Sequence, residues 1–216
     1  MPTSVPDFDS VAAFYDPLAR LVFGPTLLRA QRAALQAGLP AAGAAPRVLF
    51  IGGGTGRVLP ELLAARPDAQ VLYLEASARM LRQAAELLQR RPEAAGQVSF
   101  RHGTEAALLP AEQFDVIVAF FLFDLFPPAE LAALLARLHC HAHGGTRWLV
   151  ADFAPPRRGW QRGLQWLMYR FFGLTSGVRG RQLPDIAGAL GQLGLRPVWE
   201  QHWADGLVQA GVWARS

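Results

Sequence analysis

Arg47-Val48-Leu49-Phe50-Ile51-Gly52-Gly53-Gly54-Thr55-Gly56-Arg57-Val58-Leu59-Pro60-Glu61-Leu62-Leu63 decides how the rest of the chain is read. A short, mostly apolar run enters a cluster of glycines, and apolar residues at helical spacing (Val58, Leu59, Leu62, Leu63) follow at once. The run reads as a buried parallel strand, and glycines permit a tight turn that side chains would block. Such a turn presents backbone N–H groups and the positive end of a helix dipole to whatever docks there. The stretch is therefore a strand–turn–helix suited to an anion or a nucleotide, although a plain strand-to-helix connection has the same glycines.

Glycine spacing separates the ligand classes. The dinucleotide fingerprint needs a third glycine five residues after the first, and from Gly52 and Gly54 that position is Arg57. A phosphate-binding P-loop needs Gly-Lys-Ser/Thr, and the chain contains no lysine. What remains, Gly52-x-Gly54-x-Gly56 after Val48-Leu49-x-Ile51, resembles motif I of the class I S-adenosylmethionine (SAM)-dependent methyltransferases. In that family the loop wraps the methionine end of the cofactor. The resemblance implies that Ile51, Gly52, Gly53, Gly54 and Gly56 bind SAM, leaving S-adenosylhomocysteine as product.

Composition narrows the class further. At 216 residues, 51% hydrophobic and 18% charged, the chain suits one globular domain and excludes a disordered segment. All 21 basic residues are arginine and the net charge is +4, too small to call for nucleic acid. Cys140 is the single cysteine, which excludes an internal disulfide. The N-terminal residues lack a basic start and an apolar signal core, and no apolar run reaches membrane-spanning length. The expectation is a soluble cytoplasmic protein.

Residues 8–37 read as helices, with Phe8, Val11, Ala12, Tyr15, Leu18 and Ala19 at helical spacing. Tyr15-Asp16, Phe23-Gly24 and Arg29 resemble the N-terminal segment of ubiquinone/menaquinone C-methyltransferases and of some phospholipid N-methyltransferases. There it caps the cofactor pocket, which implies Tyr15 near the cofactor carboxylate. A tyrosine packed in a helix interface fits equally well.

Gln70 to Leu74 is a second buried strand ending in Glu75, 19 residues past Gly56. A carboxylate at that edge can accept hydrogen bonds from both ribose hydroxyls, and Ala76 follows it. An acid near the start of the next helix, Ser77 to Arg90, is also favoured by the dipole. Met80, one turn into that helix, is placed for apolar contact with an adenine or for core packing. Gln97 to His102 is a third strand, followed by Gly103-Thr104-Glu105 where relatives often carry Gly-Asp-Ala. Thr104 stands at the acid position and Phe50 where many relatives have an acid, so the match departs from the family at both.

Phe114 to Ala119 is a fourth strand, entering Phe120-Phe121-Leu122-Phe123-Asp124-Leu125-Phe126. In the family this loop faces cofactor and acceptor, which implies Phe120 at the cofactor and Phe121 and Asp124 at the acceptor. Phe123 and Phe126 read as core. Asp124 is a general base, a helix cap or a solvated carboxylate. With Tyr15 and His102 it completes the catalytic candidates.

Pro128 to Leu138 is a helix leading to His139-Cys140-His141-Ala142-His143-Gly144-Gly145. Only His139 and His143 would share a helical face, so dipole-favoured histidines before a Gly144 cap are preferred over a metal site. Thr146 to Phe153 is the fifth strand. Between residues 155 and 173, Trp160, Leu164, Leu167, Met168 and Phe171 share one helical face and Arg158, Arg162 and Arg170 lie off it. The pattern suits a helix covering the sheet, RNA stacking or contact with a membrane surface. Trp166 is the expected acceptor contact there. Pro184 to Leu193 is a further helix, and Val198 to Trp203, Ala204-Asp205-Gly206 and Leu207 to Ala214 form a hairpin.

The expected fold is α/β, a Rossmann-like three-layer α/β/α sandwich with a seven-stranded, mostly parallel sheet and a C-terminal antiparallel hairpin. It forms one domain, residues 1–216, with an N-terminal helical cap over 1–40 and a helical acceptor-side insertion over 155–195. The expected activity is methyl transfer from SAM to a small or lipid-like apolar acceptor. The alternatives are an RNA or protein methyltransferase and a non-catalytic SAM-binding domain.

Overall fold

The run that opens the sequence argument lies near the middle of the sheet. Arg47–Ile51 (β1) pairs in parallel with Gln70–Glu75 (β2) on one side and with Phe114–Phe120 (β4) on the other. A computed structural model describes residues 24–41, 43–91, 96–156, 158–159, 161 and 183–215. Val98–His102 (β3), Ala142–Phe153 (β5), Leu195–Trp203 (β6) and Val208–Arg215 (β7) complete a seven-stranded sheet in the order β3-β2-β1-β4-β5-β7-β6. The first five strands run parallel, while β7 pairs antiparallel with both β5 and β6. The terminal hairpin turns at Ala204–Gly206, with Ala204 at φ +51° and Asp205 at φ +55°.

Two-residue alternation along each strand feeds two separate cores. Val48, Phe50, Val71, Tyr73, Val118 and Leu149 point to one face, Leu49, Ile51, Leu74, Ile117 and Trp148 to the other. Helices Thr26–Gly38 (α1), Leu59–Ala65 (α2) and Ala78–Gln89 (α3) cover the first face; Pro128–His139 (α4) and Ile186–Gln192 (α5) cover the second. Each large apolar side chain buried this way stabilises the fold by about 1.5–3 kcal/mol. The three-layer α/β/α arrangement with a mostly parallel seven-stranded sheet is thus the one expected from the sequence.

Local chemistry sets the ends of the elements that matter for the site. Ser77 caps α3, its Oγ accepting from the Met80 N–H at 3.1 Å. Pro60 stands in the first turn of α2, where its missing N–H costs nothing, and Glu61 complements the dipole. At the end of α1, a Cβ on Gly38 would lie 2.6 Å from Leu149 Cγ and 2.9 Å from Val212 Cγ2. Only a glycine lets this helix rest directly on β5 and β7. This described part of the N-terminal region therefore lies in the helical layer itself. No helix among the described residues is long and apolar enough to cross a membrane.

One expected boundary moves. Helix α4 ends at His139 with Cys140 as its cap, and His143, Gly144 and Gly145 belong to β5 rather than to a helix terminus. Thr146 causes the change. Its hydroxyl donates to the Phe114 carbonyl at 2.7 Å and accepts from the His143 N–H at 2.8 Å, drawing the glycine pair into an irregular register beside β4.

Candidate active site

At the C-terminal edge of β1 the chain leaves the sheet through three glycines with positive φ: Gly52 at +63°, Gly54 at +62° and Gly56 at +76°. Residues with a Cβ adopt such angles at a cost. The turn is seated by its neighbours. Gly52 N–H donates to the Leu74 carbonyl at 2.9 Å, and the Tyr73 hydroxyl donates to the Gly54 carbonyl at 3.0 Å. Added Cβ atoms would strike the Tyr73 hydroxyl at Gly53 and come within 2.7 Å of Ala84 Cβ at Gly56. At Gly54 a Cβ would meet no atom nearer than Met80 Sδ at 3.8 Å. Close approach of backbone to helix α3 thus explains Gly56, whereas Gly54 keeps its surroundings open beside Met80.

Glu75 ends β2 next to this turn and is only 6% exposed. One carboxylate oxygen accepts from Gly54 N–H at 2.9 Å, the other from Ser77 N–H at 2.9 Å. Burial pushes its pKa up, and the N–H groups of Ser77, Gly54 and Ala76 and the nearby His102 pull it back toward the ionised form. The carboxylate therefore clamps the glycine turn to the start of α3. A carboxylate has about four acceptor positions, so capacity remains for a hydroxyl donor.

Across β1, the chain leaving β4 makes a second turn. Phe121 takes φ +53°, an unusual value for an aromatic residue, and its N–H donates to the Ala151 carbonyl at 2.7 Å. Its ring packs on Phe153 with centroids 5.2 Å apart, and Phe120 meets Phe50 edge-on at 5.7 Å. Leu122 lies against the first turn, since a Cβ on Gly52 would come within 2.7 Å of its Cδ1. Phe123 is fully buried, and Phe126 packs partly buried on the same core.

Beneath this turn two acids meet. Asp152, in β5, is inaccessible to solvent, and its Oδ2 accepts from Phe123 N–H at 3.0 Å. Asp124 is half-buried as a residue, but its Oδ1 is buried without a partner among the described residues. Asp124 thus neither caps a helix nor lies in solvent, as two of its sequence readings required. Burial raises its pKa to about 6, while a hydrogen bond from Asp152 opposes the rise. Asp152 is raised well above the usual carboxylate range by burial and by the charge of Asp124.

Sequence and fold comparisons identify what this edge belongs to. A family model described as a methyltransferase domain matches residues 49–147. The chain is 32% identical to the ubiquinone/menaquinone biosynthesis C-methyltransferase UbiE of Syntrophotalea carbinolica, over 94% of this chain and 90% of the relative. The chain belongs to the class I SAM-dependent methyltransferases. Solved structures agree on the fold. The mitomycin 7-O-methyltransferase MmcR superposes with TM-score 0.69 at 22% identity, over 95% of this chain and 60% of MmcR. Magnesium protoporphyrin IX methyltransferase (ChlM) from Synechocystis PCC 6803, with bound SAH, gives 0.67 at 21% identity, over 94% of this chain and 88% of ChlM.

In this methyltransferase the structure brings Ile51, the glycines, Glu75, Ala76 and Met80 together at one end of the sheet edge. A carboxylate beside a side-chain-free turn with open space at Gly54 fits an adenosyl cofactor with hydroxyl donors. Gly103 sits next to them, its N–H donating to the Glu75 carbonyl at 2.9 Å. Thr104 caps the short 3₁₀ turn Glu105–Ala107, its hydroxyl accepting from Ala106 N–H at 3.4 Å. Glu105 is drawn away into an ion pair with Arg137 at 2.7 Å. His102 bonds the Ala76 carbonyl at 2.9 Å, three strand spacings (roughly 14 Å) from β4, so it stands apart from Asp124. Tyr15 and Trp166 lie outside the described residues. Sequence reasoning passed over Tyr73 and Asp152. Each carried a signal: a phenol in an apolar buried strand needs a partner, and a lone acid in one needs a stronger reason.

Proposed function

We propose that the enzyme transfers the SAM methyl group to a small or lipid-like apolar acceptor held at the ends of β4 and β5. The observation that carries this reading is the contact between Leu122 and Gly52, which sets the phenylalanine turn against the glycine turn. When bound, SAM supplies an electrophilic methyl on a sulfonium, which the protein has only to align and keep dry. Gly52, Gly53, Gly54 and Gly56 provide the backbone surface for its methionyl end. Glu75 accepts from its ribose, and Ile51, Met80 and Gly103 flank its adenine side, with Ala76, Thr104 and Glu105 at the margin. Phe120 borders the cofactor, and Phe121 and Asp124 border the acceptor. The buried rings of Phe120, Phe121, Phe123 and Phe153 exclude water from this end of the edge.

In this reading the chain is a single catalytic domain. Of the expected cap over 1–40 and acceptor cover over 155–195, helices α1 and α5 pack on the sheet, and the capping and covering roles fall to the remainder, which carries Tyr15 and Trp166. The likeness to a quinone-precursor C-methyltransferase supports a ring-bearing or prenylated acceptor, since that relative is aligned along nearly its whole length. Incubating the enzyme with methyl-labelled SAM and an extract of cells, then partitioning the products, tests the proposal. Label is expected in the organic phase. Label confined to RNA or protein would replace the acceptor class, and no transferred label at all would leave a cofactor-binding domain without catalysis.

A further inference from the structure

Three backbone N–H groups converge on the carboxyl of Asp152, more than a lone buried acid needs. Phe123 and Asp124 donate to Oδ2 at 3.0 and 3.4 Å, and Phe153 donates to Oδ1 at 3.0 Å. Two of those donors belong to the turn after β4, 28 and 29 residues earlier in the chain. The same turn begins with the strained Phe121 and reaches Gly52 through Leu122. The turn's 3₁₀ segment Phe123–Leu125 has no side-chain cap, so beyond its own backbone bonds it is tied to β5 through Asp152 and the Ala151 carbonyl.

We propose that Asp152 is a positioning residue for methyl transfer: by accepting the N–H groups of Phe123 and Asp124, it fixes the turn Phe121–Leu125 against the glycine turn that receives the cofactor. The inference rests on the reading of the glycine turn as the SAM site. Two carboxyls in hydrogen-bond contact cannot both be ionised without losing that bond and repelling each other. With one proton present, Asp152 donates to Asp124 while its oxygens still accept the three N–H groups. When that proton leaves, the bond between the two carboxyls is lost and their charges repel, pushing the turn away from β5.

Opposite Asp152 on β7 stands Gln209, and α4 and α5 line this face with Leu131, Leu134, Ile186 and Leu190. Among the described residues, the titratable groups acting on Asp124 and Asp152 are each other. Burial raises both groups, and the charge of Asp124 raises Asp152 further. Cofactor affinity should then fall as rising pH removes the pair's proton.

The test compares Asp152→Asn with Asp152→Leu. Asparagine keeps an acceptor for the N–H groups and a permanent donor for Asp124, whereas leucine has neither. Calorimetric binding of S-adenosylhomocysteine across pH, amide hydrogen exchange at Phe123 and Asp124, and carbon-13 NMR of the aspartate carboxyls are the readouts. Expected in the parent is one carboxyl titrating far above the ordinary aspartate range. Asp152→Asn should keep amide protection and lose the fall of affinity with rising pH. Asp152→Leu should expose both amides and weaken binding at neutral pH by at least about tenfold. If the leucine variant does not fold, Asp124→Asn serves in its place and should also abolish the fall of affinity with rising pH. The inference is overturned if Asp152→Asn retains the parent's pH profile, or if the two amides stay protected in the leucine variant. Failure of the parent to bind S-adenosylhomocysteine would instead refute the cofactor reading, because exchange and NMR judge the pair without ligand.

Discussion

The two ends of the same sheet edge solve the problem of a buried carboxylate in opposite ways. At the β1–β2 end, Glu75 is surrounded by backbone N–H groups from Gly54, Ala76 and Ser77, which hold down the rise that burial imposes. At the β4–β5 end, Asp152 also collects backbone donors, yet it faces a second acid and is driven far upward. The first arrangement preserves a charge able to accept ribose hydroxyls. The second sets one buried acid against another inside an apolar turn, which favours a proton over a charge there. Which role an acid takes is decided by its partner, an N–H or another carboxyl.

The largest effect that would break this comparison belongs to the glycine turn. Gly56→Val adds a Cβ within 2.7 Å of Ala84 Cβ and 3.0 Å of its Cα, at a φ of +76°. Urea unfolding should show a loss of about 3 kcal/mol or more. Gly54→Ala sharpens the point: its Cβ meets only Met80 Sδ, at 3.8 Å, so stability should drop by about 1–2 kcal/mol while SAM-induced thermal stabilisation largely disappears. Equal damage to folding by both changes would mean that both glycines are structural.

Next in size is Glu75→Ala, which strands the N–H groups of Gly54 and Ser77 and should cost about 2 kcal/mol of stability besides cofactor affinity. The opposite end answers to pH. Asp124 keeps its proton up to about 6 when folded and only to about 4 when unfolded, so the folded state binds more protons in that window. The stabilisation is complete below the unfolded value and is lost as pH rises through the folded one, and Asp152 extends the same sign further up. Thermal melts should therefore show a downward contribution with rising pH that Asp152→Asn reduces. The smallest change is Tyr73→Phe, which removes one hydrogen bond to the Gly54 carbonyl and should cost about 1 kcal/mol, seen as a modest rise in the Kd for SAM.

Local patterns made most of the layered fold readable. Alternation in Val48–Ile51 and Gln70–Glu75, glycine spacing after β1 and the Ser77 cap are short-range signals, and each sits where the chain order placed it. The glycine end of the site was readable for the same reason, because its turn and Glu75 meet through adjacent parallel strands. The other end was hidden. Asp124 and Asp152 are 28 residues apart, and only the register of β4 with β5 brings them together. Likewise the pull of Thr146 on Phe114 carried His143 and its glycines into a strand, a contact across strands that no helical pattern reveals. Glu105 was legible as an acid near the adenine side but not as the partner of Arg137 on a helix packed beside it.

The most direct measurement is calorimetric titration of S-adenosylhomocysteine into the parent enzyme and into Glu75→Ala at neutral pH. The account predicts one site in the parent and an affinity at least about tenfold weaker in the variant, because a ribose partner and a clamp on Gly54 are lost together. Equal affinities, or no binding to a folded parent, would contradict it.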